Sequence, residues 1–520
     1  MANDKRMGFA AVAVFIGLVL RFWHPVYGFT EFLQLDAANN DLKIAAFHEI
    51  PVYIYPGTEG YDGAYYAQIA YHPLLQAAEL VPAIDNLAYR ARRILPPALA
   101  WILAAGRPGW IAQVYSVLEV AAWLVLAALL WRLLAVGGGR SWLAWLGVLF
   151  SAGALSCVRL ALPDLAALTL IAGAMLAAER HRRRGAAGWL AAACLTRETS
   201  FLAVAGLWTS PPGLDEPVPR RAEWARTNFF RSLVVALPLL GWLAYIAWRV
   251  GPADQGWDKF TWPLAAFFEK WRATLATLAS PPDFALALTT VLALIGLTVQ
   301  TAYIVVRPEV RNPWWRIGAA YVFVMLFLGT SVWEGDPGAA TRVLLPLTLA
   351  FNVLACRRNA AISWLVAGNL TVLSGLFAMV DAPSDAREIA AMRARGMACV
   401  ARAGEGWYNV EHTAHHSWAW SGGAATLEVE SWPRSAQKLE MEFSSRSLTP
   451  RTLAVRENGV ELWRGAIGKT YRPVSFPFAV KAGRATLEFS TDSPGVDTGE
   501  GPSERVLAFD VRDMRVEVTR

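Results

Sequence analysis

Apolar stretches of about twenty residues, the length one helix needs to cross a bilayer, follow one another along this chain up to about Asp381 and then cease. Within hydrocarbon every backbone N–H and C=O has to be satisfied inside its own segment, so such stretches can fold only as helices. The composition agrees: 55% of the 520 residues are hydrophobic and 24 are Trp, more than a soluble domain of ordinary make-up carries. The expected architecture is a polytopic α-helical membrane protein over 1–380, a linker over 381–405 and an all-β, jelly-roll-like sandwich over 406–520.

The arginines set the topology. Basic clusters occur at Lys5-Arg6, Arg132 with Arg140, Arg180 to Arg184, Arg220 to Arg231, Arg307 to Arg316 and Arg357-Arg358. By the positive-inside rule all six face the cytoplasm, which also accounts for the net charge of +6 without nucleic acid. Helices near 7–23, 110–134, 141–156, 161–178, 231–250, 283–306, 313–331, 343–356 and 361–380 then alternate correctly if 186–209 leaves the cytoplasmic face and returns to it. That segment is too short for two full crossings, so a pair of short helices with a turn at Thr196-Arg197-Glu198-Thr199 is expected, giving about eleven membrane segments. The stretch after Lys5-Arg6 shows no small-residue cleavage site and reads as a first helix. Three regions fall on the outer side: His24 to about Gly109, the Trp-rich loop from Gly251 to Pro282, and everything after Asp381. Within the first, the short apolar run after Leu95-Pro96-Pro97 suits a helix lying at the interface.

Beyond about Gly406 the hydrophobic period becomes two, as in Ala425-Thr426-Leu427-Glu428-Val429-Glu430, with turn signals such as Glu457-Asn458-Gly459 between runs. These are strands of a sandwich. Its Tyr408, Trp418, Trp420, Trp432 and Trp463 are candidates for stacking on sugar rings or for ordinary core packing. His412, His415 and His416 raise a metal site but lack a partner of fixed spacing. Cys157, Cys194 and Cys356 fall in apolar segments and Cys399 stands alone in the soluble part, so no disulfide framework is expected.

The first outer loop concentrates chemistry. Gly60-Tyr61-Asp62-Gly63-Ala64-Tyr65-Tyr66-Ala67-Gln68 sets a carboxylate between glycines and beside tyrosines, and Asp85-Asn86-Leu87-Ala88-Tyr89-Arg90-Ala91-Arg92-Arg93 follows with three cations suited to a lipid phosphate. A structural role is available too: Asp62 as the cap of a helix starting near Ala64, and the arginines as headgroup anchors. Deeper charges occur at Arg159 and Asp164, at Arg197 and Glu198, and at Glu334, Asp336 and Arg342. Charges at membrane depth are paired or functional, and Arg159, Arg197 or Arg342 could meet a donor phosphate. Glu334 and Asp336 have spacing suited to a divalent cation, and whether a metal is needed stays open.

The long first outer loop, with Gly60-Tyr61-Asp62-Gly63, Tyr65-Tyr66, Ile69-Ala70 and then Tyr89-Arg90 with Arg93-Ile94-Leu95-Pro96, resembles the GT-C superfamily of membrane glycosyltransferases. It is similar in particular to bacterial members related to the GPI mannosyltransferases, although Tyr61 stands where that motif has tryptophan. The resemblance implies transfer of a sugar from a polyprenyl-phosphate donor to a glycan or lipid acceptor, at the outer face of a bacterial plasma membrane. It implies a catalytic base at Asp62, with Asp36 as second choice, and substrate contacts from Tyr61, Tyr65, Tyr66, Gln68, Arg90, Arg92, Arg93, Arg159, Arg197 and Arg342. Inverting transfer needs a base for the acceptor hydroxyl and cations for the departing phosphate, and these residue types supply both. Apart from a short stretch near 210–230, every long hydrophilic segment lies outside, which favours a lipid-linked donor over a nucleotide sugar. A flippase for a lipid-linked glycan and a non-catalytic membrane sensor are the rival classes.

Overall fold

The computed structural model describes residues 2–36, 42–55, 60–211, 218–252, 259–278, 284–380, 382, 398–408, 411–412, 416–432, 437–481, 483–497 and 505–518. It forms two compact units: Met1–Trp23 with Phe29–Pro383, and His24–Gly28 with Ser384–Arg520. Most of the expected linker 381–405 lies outside the described residues.

The first unit is helical. Pro108–Leu133, Gly139–Arg159, Pro219–Arg249 and Phe284–Val306 are long and apolar enough to cross a membrane by length and composition. Arg6–Leu20, Glu198–Leu207, Pro313–Phe327, Leu345–Arg357 and Ile362–Ala378 are shorter apolar helices. The apolar stretches are therefore helices as expected, but only four reach spanning length among the described residues, against about eleven segments expected. Two local breaks interrupt the apolar helices. Ile362–Gly368 and Thr371–Ala378 are separate helices, and Arg183–Thr196 hands over to a 3-10 helix at Glu198–Leu207 through an extended Arg197 (φ −151°, ψ 122°). That handover falls in the expected turn.

Two spans show the two kinds of surface such helices need. Gly139–Arg159 is enclosed, with 83% of its apolar window buried, whereas Pro219–Arg249 is 17% buried and presents Phe229, Val234, Leu237, Leu240 and Trp248 outward. The second belongs at a lipid-facing perimeter. Polar side chains inside the bundle are satisfied in pairs: the amides of Asn352 and Asn369 exchange hydrogen bonds of 3.0 and 2.8 Å, and Thr348 donates to Gln300 Oε1 at 2.9 Å. Where lipid gives no hydrophobic advantage to helix contact, such bonds hold helices together.

In the loop after the first helix, β1 (Leu35–Asp36) pairs parallel with β2 (Ile54–Tyr55). Short helices follow at Asp62–Ile69, Leu80–Ala83, Leu87–Arg90 and Leu95–Leu103. The last exposes Leu99, Trp101, Ile102 and Leu103, the surface an interfacial helix requires.

The second unit is all-β. Its strands are β3 (Ala398–Ala403), β4 (Glu411–His412), β5 (Ser417–Ser421), β6 (Ala424–Trp432), β7 (Gln437–Arg446) and β8 (Arg451–Glu457). They continue as β9 (Val460–Ile467), β10 (Arg472–Val480), β11 (Arg484–Thr491), β12 (Val496–Asp497), β13 (Val506–Leu507) and β14 (Phe509–Val518). One antiparallel sheet runs β10-β7-β14-β5-β4 and the other β3-β6-β11-β8-β9. From β5 to β11, with β14, this is the strand order of a jelly roll. Inward side chains of both sheets, among them Met441, Phe443, Phe476, Leu427, Leu487 and Phe489, meet in one core. In β10 buried and exposed residues alternate from Val474 to Val480, the period-two pattern read from the sequence. Asn458 (φ 49°) and Gly459 (φ 79°) make the two-residue turn between β8 and β9, where positive φ at both positions matches the strand twist. Among the described residues the first strand of this unit is Ala398–Ala403, ahead of the expected 406, and its sequence carries no strong alternation to announce it. Among the described residues no disulfide forms.

Candidate active site

Asp62 is held by its glycine neighbours. Gly60 turns the chain at φ +73°, and a Cβ there would meet Gln34 O at 2.9 Å and Asp36 Oδ1 at 3.1 Å. Tyr61 N then donates to Gln34 O at 3.1 Å, tying the turn to β1. At Gly63 a Cβ would stand 2.3 Å from the Leu160 carbonyl oxygen, so only glycine lets this helix lie against that backbone. The helix begins at Asp62 itself, with Tyr61 as N-cap and no side-chain cap bond. The expectation that Asp62 caps a helix near Ala64 is thus corrected: its carboxylate faces across the loop, where Arg90 Nη1 lies 2.7 Å from Oδ2.

Arg90 is shared. Its Nε and Nη2 donate to Asp85 Oδ1 and Oδ2 at 3.0 and 2.7 Å, leaving Nη1 for Asp62. Asn86 caps the short helix Leu87–Arg90 by accepting from Tyr89 N at 3.0 Å, which fixes where Tyr89 and the arginines point. Burial works to raise the Asp85 carboxyl, but the hydrogen bonds and charge of Arg90 and the Asn86 N–H outweigh it and hold Asp85 below the usual carboxylate range. Burial likewise opposes the Arg90 cation, and Asp85 and Asp62 more than offset it, raising its pKa. Arg93, almost fully buried, forms a two-pronged pair with Glu198 at 3.2 and 3.1 Å and also donates to the hydroxyls of Tyr66 and Tyr89.

A second set of charges arrives from the helices. Buried Asp164 lies 2.9 Å from Arg197 Nη1 and 3.8 Å from Arg342 Nη1. Neither carboxylate oxygen receives an aligned N–H, so these are charge pairs rather than directed hydrogen bonds. Arg342 donates to the Tyr61 hydroxyl at 2.8 Å and lies over its ring, linking this set to the Asp62 loop. Glu119, buried in Pro108–Leu133, accepts from Ala166 N at 3.0 Å and so ties down the start of the helix carrying Asp164.

Many of these groups line one cavity of about 520 Å³, whose wall includes Tyr61, Asp62, Asp85, Tyr89, Arg90, Arg92, Arg93, Arg197, Glu198, Lys259 and Arg342. Cations outnumber carboxylates there. A smaller cavity of about 200 Å³ shares Tyr61 and Asp85 with it and adds Asp36, Lys43, Tyr65 and Gln68. Asp36 pairs with Lys43 at 3.5 Å, and Gln68 is spent on backbone, accepting from Ile44 N and donating to Ala83 O. Tyr66 lines neither cavity; it is fully buried against Arg93, and burial raises its hydroxyl pKa.

Within the helical unit, two expectations are not drawn to this site. Arg159 donates to the Tyr55 hydroxyl at 3.1 Å and lies over the Phe22 ring, because its position at the end of Ala152–Arg159 turns it toward β2. Asp336 accepts from Lys270 and Thr290, and among the described residues no three His, Cys, Asp or Glu come together as metal ligands, Glu334 included. In the sandwich, His416 pairs with Asp513 at 2.6 Å, while His415 and the side chain of His412 lie outside the described residues. Trp420, Trp463 and Tyr408 have Arg446, Arg472 and Arg505 over their rings, and Trp418 donates to Glu411; the side chain of Trp432 is outside the described residues. Conversely, Lys259 reaches the larger cavity from the Trp-rich loop with no motif to announce it. Its only sequence signal is that this loop falls on the same face as Asp62.

No family model matches the chain, and no curated relative matches it. Among solved structures it aligns with the arabinosyltransferase EmbB from Mycobacterium smegmatis at 11% identity and a TM-score of 0.24, covering 88% of this chain and 64% of that one. It also aligns with the enzymatically active domain of tailspike protein 4 from bacteriophage CBA120 at 12% identity and a TM-score of 0.14, covering 24% of this chain and 19% of that one. The chain thus spans less than two thirds of either neighbour, and at these scores neither likeness carries an argument; the functional reading rests on the residues.

Proposed function

We propose that the protein is a GT-C-type membrane glycosyltransferase that moves one sugar from a polyprenyl-phosphate carrier to a glycan or lipid acceptor at the outer membrane face, with inversion. The observation that carries this reading is the cavity of about 520 Å³ whose wall bears Asp62, paired with Arg90, together with Arg92, Arg93, Arg197, Lys259 and Arg342. These residues come from the first outer loop, the membrane helices and the Trp-rich loop, and a carboxylate within an excess of cations suits a substrate that carries phosphate.

In this reading Asp62 takes the proton of the acceptor hydroxyl, whose oxygen attacks the anomeric carbon. The bond from that carbon to the phosphate oxygen breaks, and its electron pair leaves with the polyprenyl phosphate. The departing phosphate gains charge as the bond breaks, and the cation-rich wall stabilises that charge where it develops. In this reading the acceptor enters by the adjoining smaller cavity, which Asp36, Tyr65 and Gln68 line. The sandwich is accessory, either holding the acceptor glycan or stabilising the outer loops. Asp164 is a positioning residue that acts through Arg197 and Arg342.

Reconstitution of the full chain with radiolabelled polyprenyl-phosphate sugars, mannose and pentose donors included, tests the proposal. Label passing to an acceptor, with one polyprenyl phosphate released per sugar, supports it. Lipid crossing the vesicle bilayer with no label transferred would establish the flippase instead.

A further inference from the structure

We infer that the helical unit holds an anionic diacyl phospholipid in a second cavity, at the opposite end of the helix pair from Asp62. This inference is independent of the glycosyltransferase reading. Helices Asp164–Glu179 and Arg183–Thr196 are antiparallel neighbours: Asp164 and the adjoining Arg197 stand at the active-site end, Glu179 and Arg183 at the other. At 1.5 Å per residue, helices of 16 and 14 residues separate the two ends by about 20 Å. The remote end opens into a cavity of about 900 Å³. Its rim carries His181, Arg183, Arg184, Arg231, Arg311 and Arg316, all from clusters that the arginine pattern places in the cytoplasm.

Among the described residues the charge there is uncompensated. Glu179 is, among the described residues, the one carboxylate on the wall, and both its oxygens are taken by Arg357, at 2.6 and 2.9 Å, with the Trp314 indole on Oε1 at 2.9 Å. None of the five rim arginines has a carboxylate partner among the described residues. Arg316, 8% exposed, is braced on four backbone carbonyls, those of Ala205, Trp208, Val310 and Arg311. These bonds fix the guanidinium without neutralising it, and a buried cation of this kind calls for an anion.

The rest of the wall is apolar. Met175, Ala187, Val235 and Pro238 line it, and Phe230 and Val234, also on the wall, are more than half exposed on the helix that faces lipid. Cationic rim, greasy floor and an opening toward the bilayer fit a phosphate headgroup with the first carbons of its acyl chains. Basic pockets between helices on the cytoplasmic side capture anionic headgroups in this way.

The full chain in detergent is titrated with phosphatidylglycerol, phosphatidylcholine and a polyprenyl phosphate, and bound lipid is read by native mass spectrometry. The expected result is preferential retention of phosphatidylglycerol. R183Q/R184Q/R231Q should weaken it by about a hundredfold, from roughly fivefold per arginine. V234W, which fills the cavity without changing charge, should weaken it as well, while R226Q on the same helix leaves it unchanged. Equal retention of phosphatidylcholine, or undiminished binding by V234W, would reduce the cavity to non-specific surface charge and overturn the inference. So would polyprenyl phosphate displacing phosphatidylglycerol at equal concentration, which would assign the cavity to the carrier.

Discussion

Arg90 holds Asp62 by one nitrogen and Asp85 by two, so a single guanidinium sets the position of the proposed base from the far side of the loop. Lysine keeps the charge but offers no fork. Arg90→Lys should therefore lower transfer by about tenfold or more and Arg90→Gln by about a hundredfold or more, with the fold retained, as initial rates in proteoliposomes would record. Equal rates in all three proteins would remove Arg90 from the site.

The Arg93–Glu198 pair should behave as a structural clamp. Glu198→Gln leaves a nearly buried guanidinium facing a neutral amide, and breaking such a pair costs about 3 kcal/mol. A thermal midpoint in detergent that drops by several degrees is the expected reading, and an unchanged midpoint would show that the pair contributes nothing to stability.

Gly63→Ala tests the close approach of the Asp62 helix to Leu160. The added methyl meets a carbonyl oxygen at 2.3 Å, so the helix must shift, at a cost of about 1–3 kcal/mol and with Asp62 displaced. Transfer should fall while the far-ultraviolet spectrum of the sandwich persists. A variant with full activity would refute the packing argument.

His24 predicts an acid-sensitive contact. Its buried Nδ1 accepts from Val26 N and Tyr27 N at 3.1 and 3.3 Å, which requires that nitrogen to be unprotonated. Burial first, then the charge of Arg402, push its pKa down to about 4. The unfolded chain therefore binds this proton at a higher pH than the folded one, so stability is full above about pH 6.5 and declines as pH falls toward 4. Melting curves between pH 4 and 7 should show that loss in wild type and less of it in His24→Gln. Parallel curves would contradict it.

How much of this was legible depends on how local the signal is. The Asp62 and Arg90–Arg93 constellation lies within one loop, where the turn glycines and the clustered arginines announce themselves, and the fold brings them to one cavity. Arg197 and Arg342 stood out because charges at membrane depth are costly. Arg159 stood out for the same reason, yet cost does not fix direction, and its side chain turned to Tyr55 and Phe22. Lys259 needed three-dimensional knowledge of how its loop folds back. In the sandwich, alternation gave the strands and Asn458-Gly459 the hairpin, while Ala398–Ala403, small and weakly patterned, gave no warning that it closes a sheet edge. The break at Arg197 falls in the turn expected from the short segment 186–209, whereas hydropathy does not register the one at Asn369.

The central claim is that Asp62 is the base. Sugar transfer from a radiolabelled polyprenyl-phosphate donor, compared among wild type, Asp62→Asn and Asp36→Asn in proteoliposomes, tests it most directly. The account predicts that Asp62→Asn loses about a hundredfold or more in turnover while still binding donor, and that Asp36→Asn keeps measurable transfer. Full turnover by Asp62→Asn, or its complete loss only in Asp36→Asn, would contradict it and move the base to the smaller cavity.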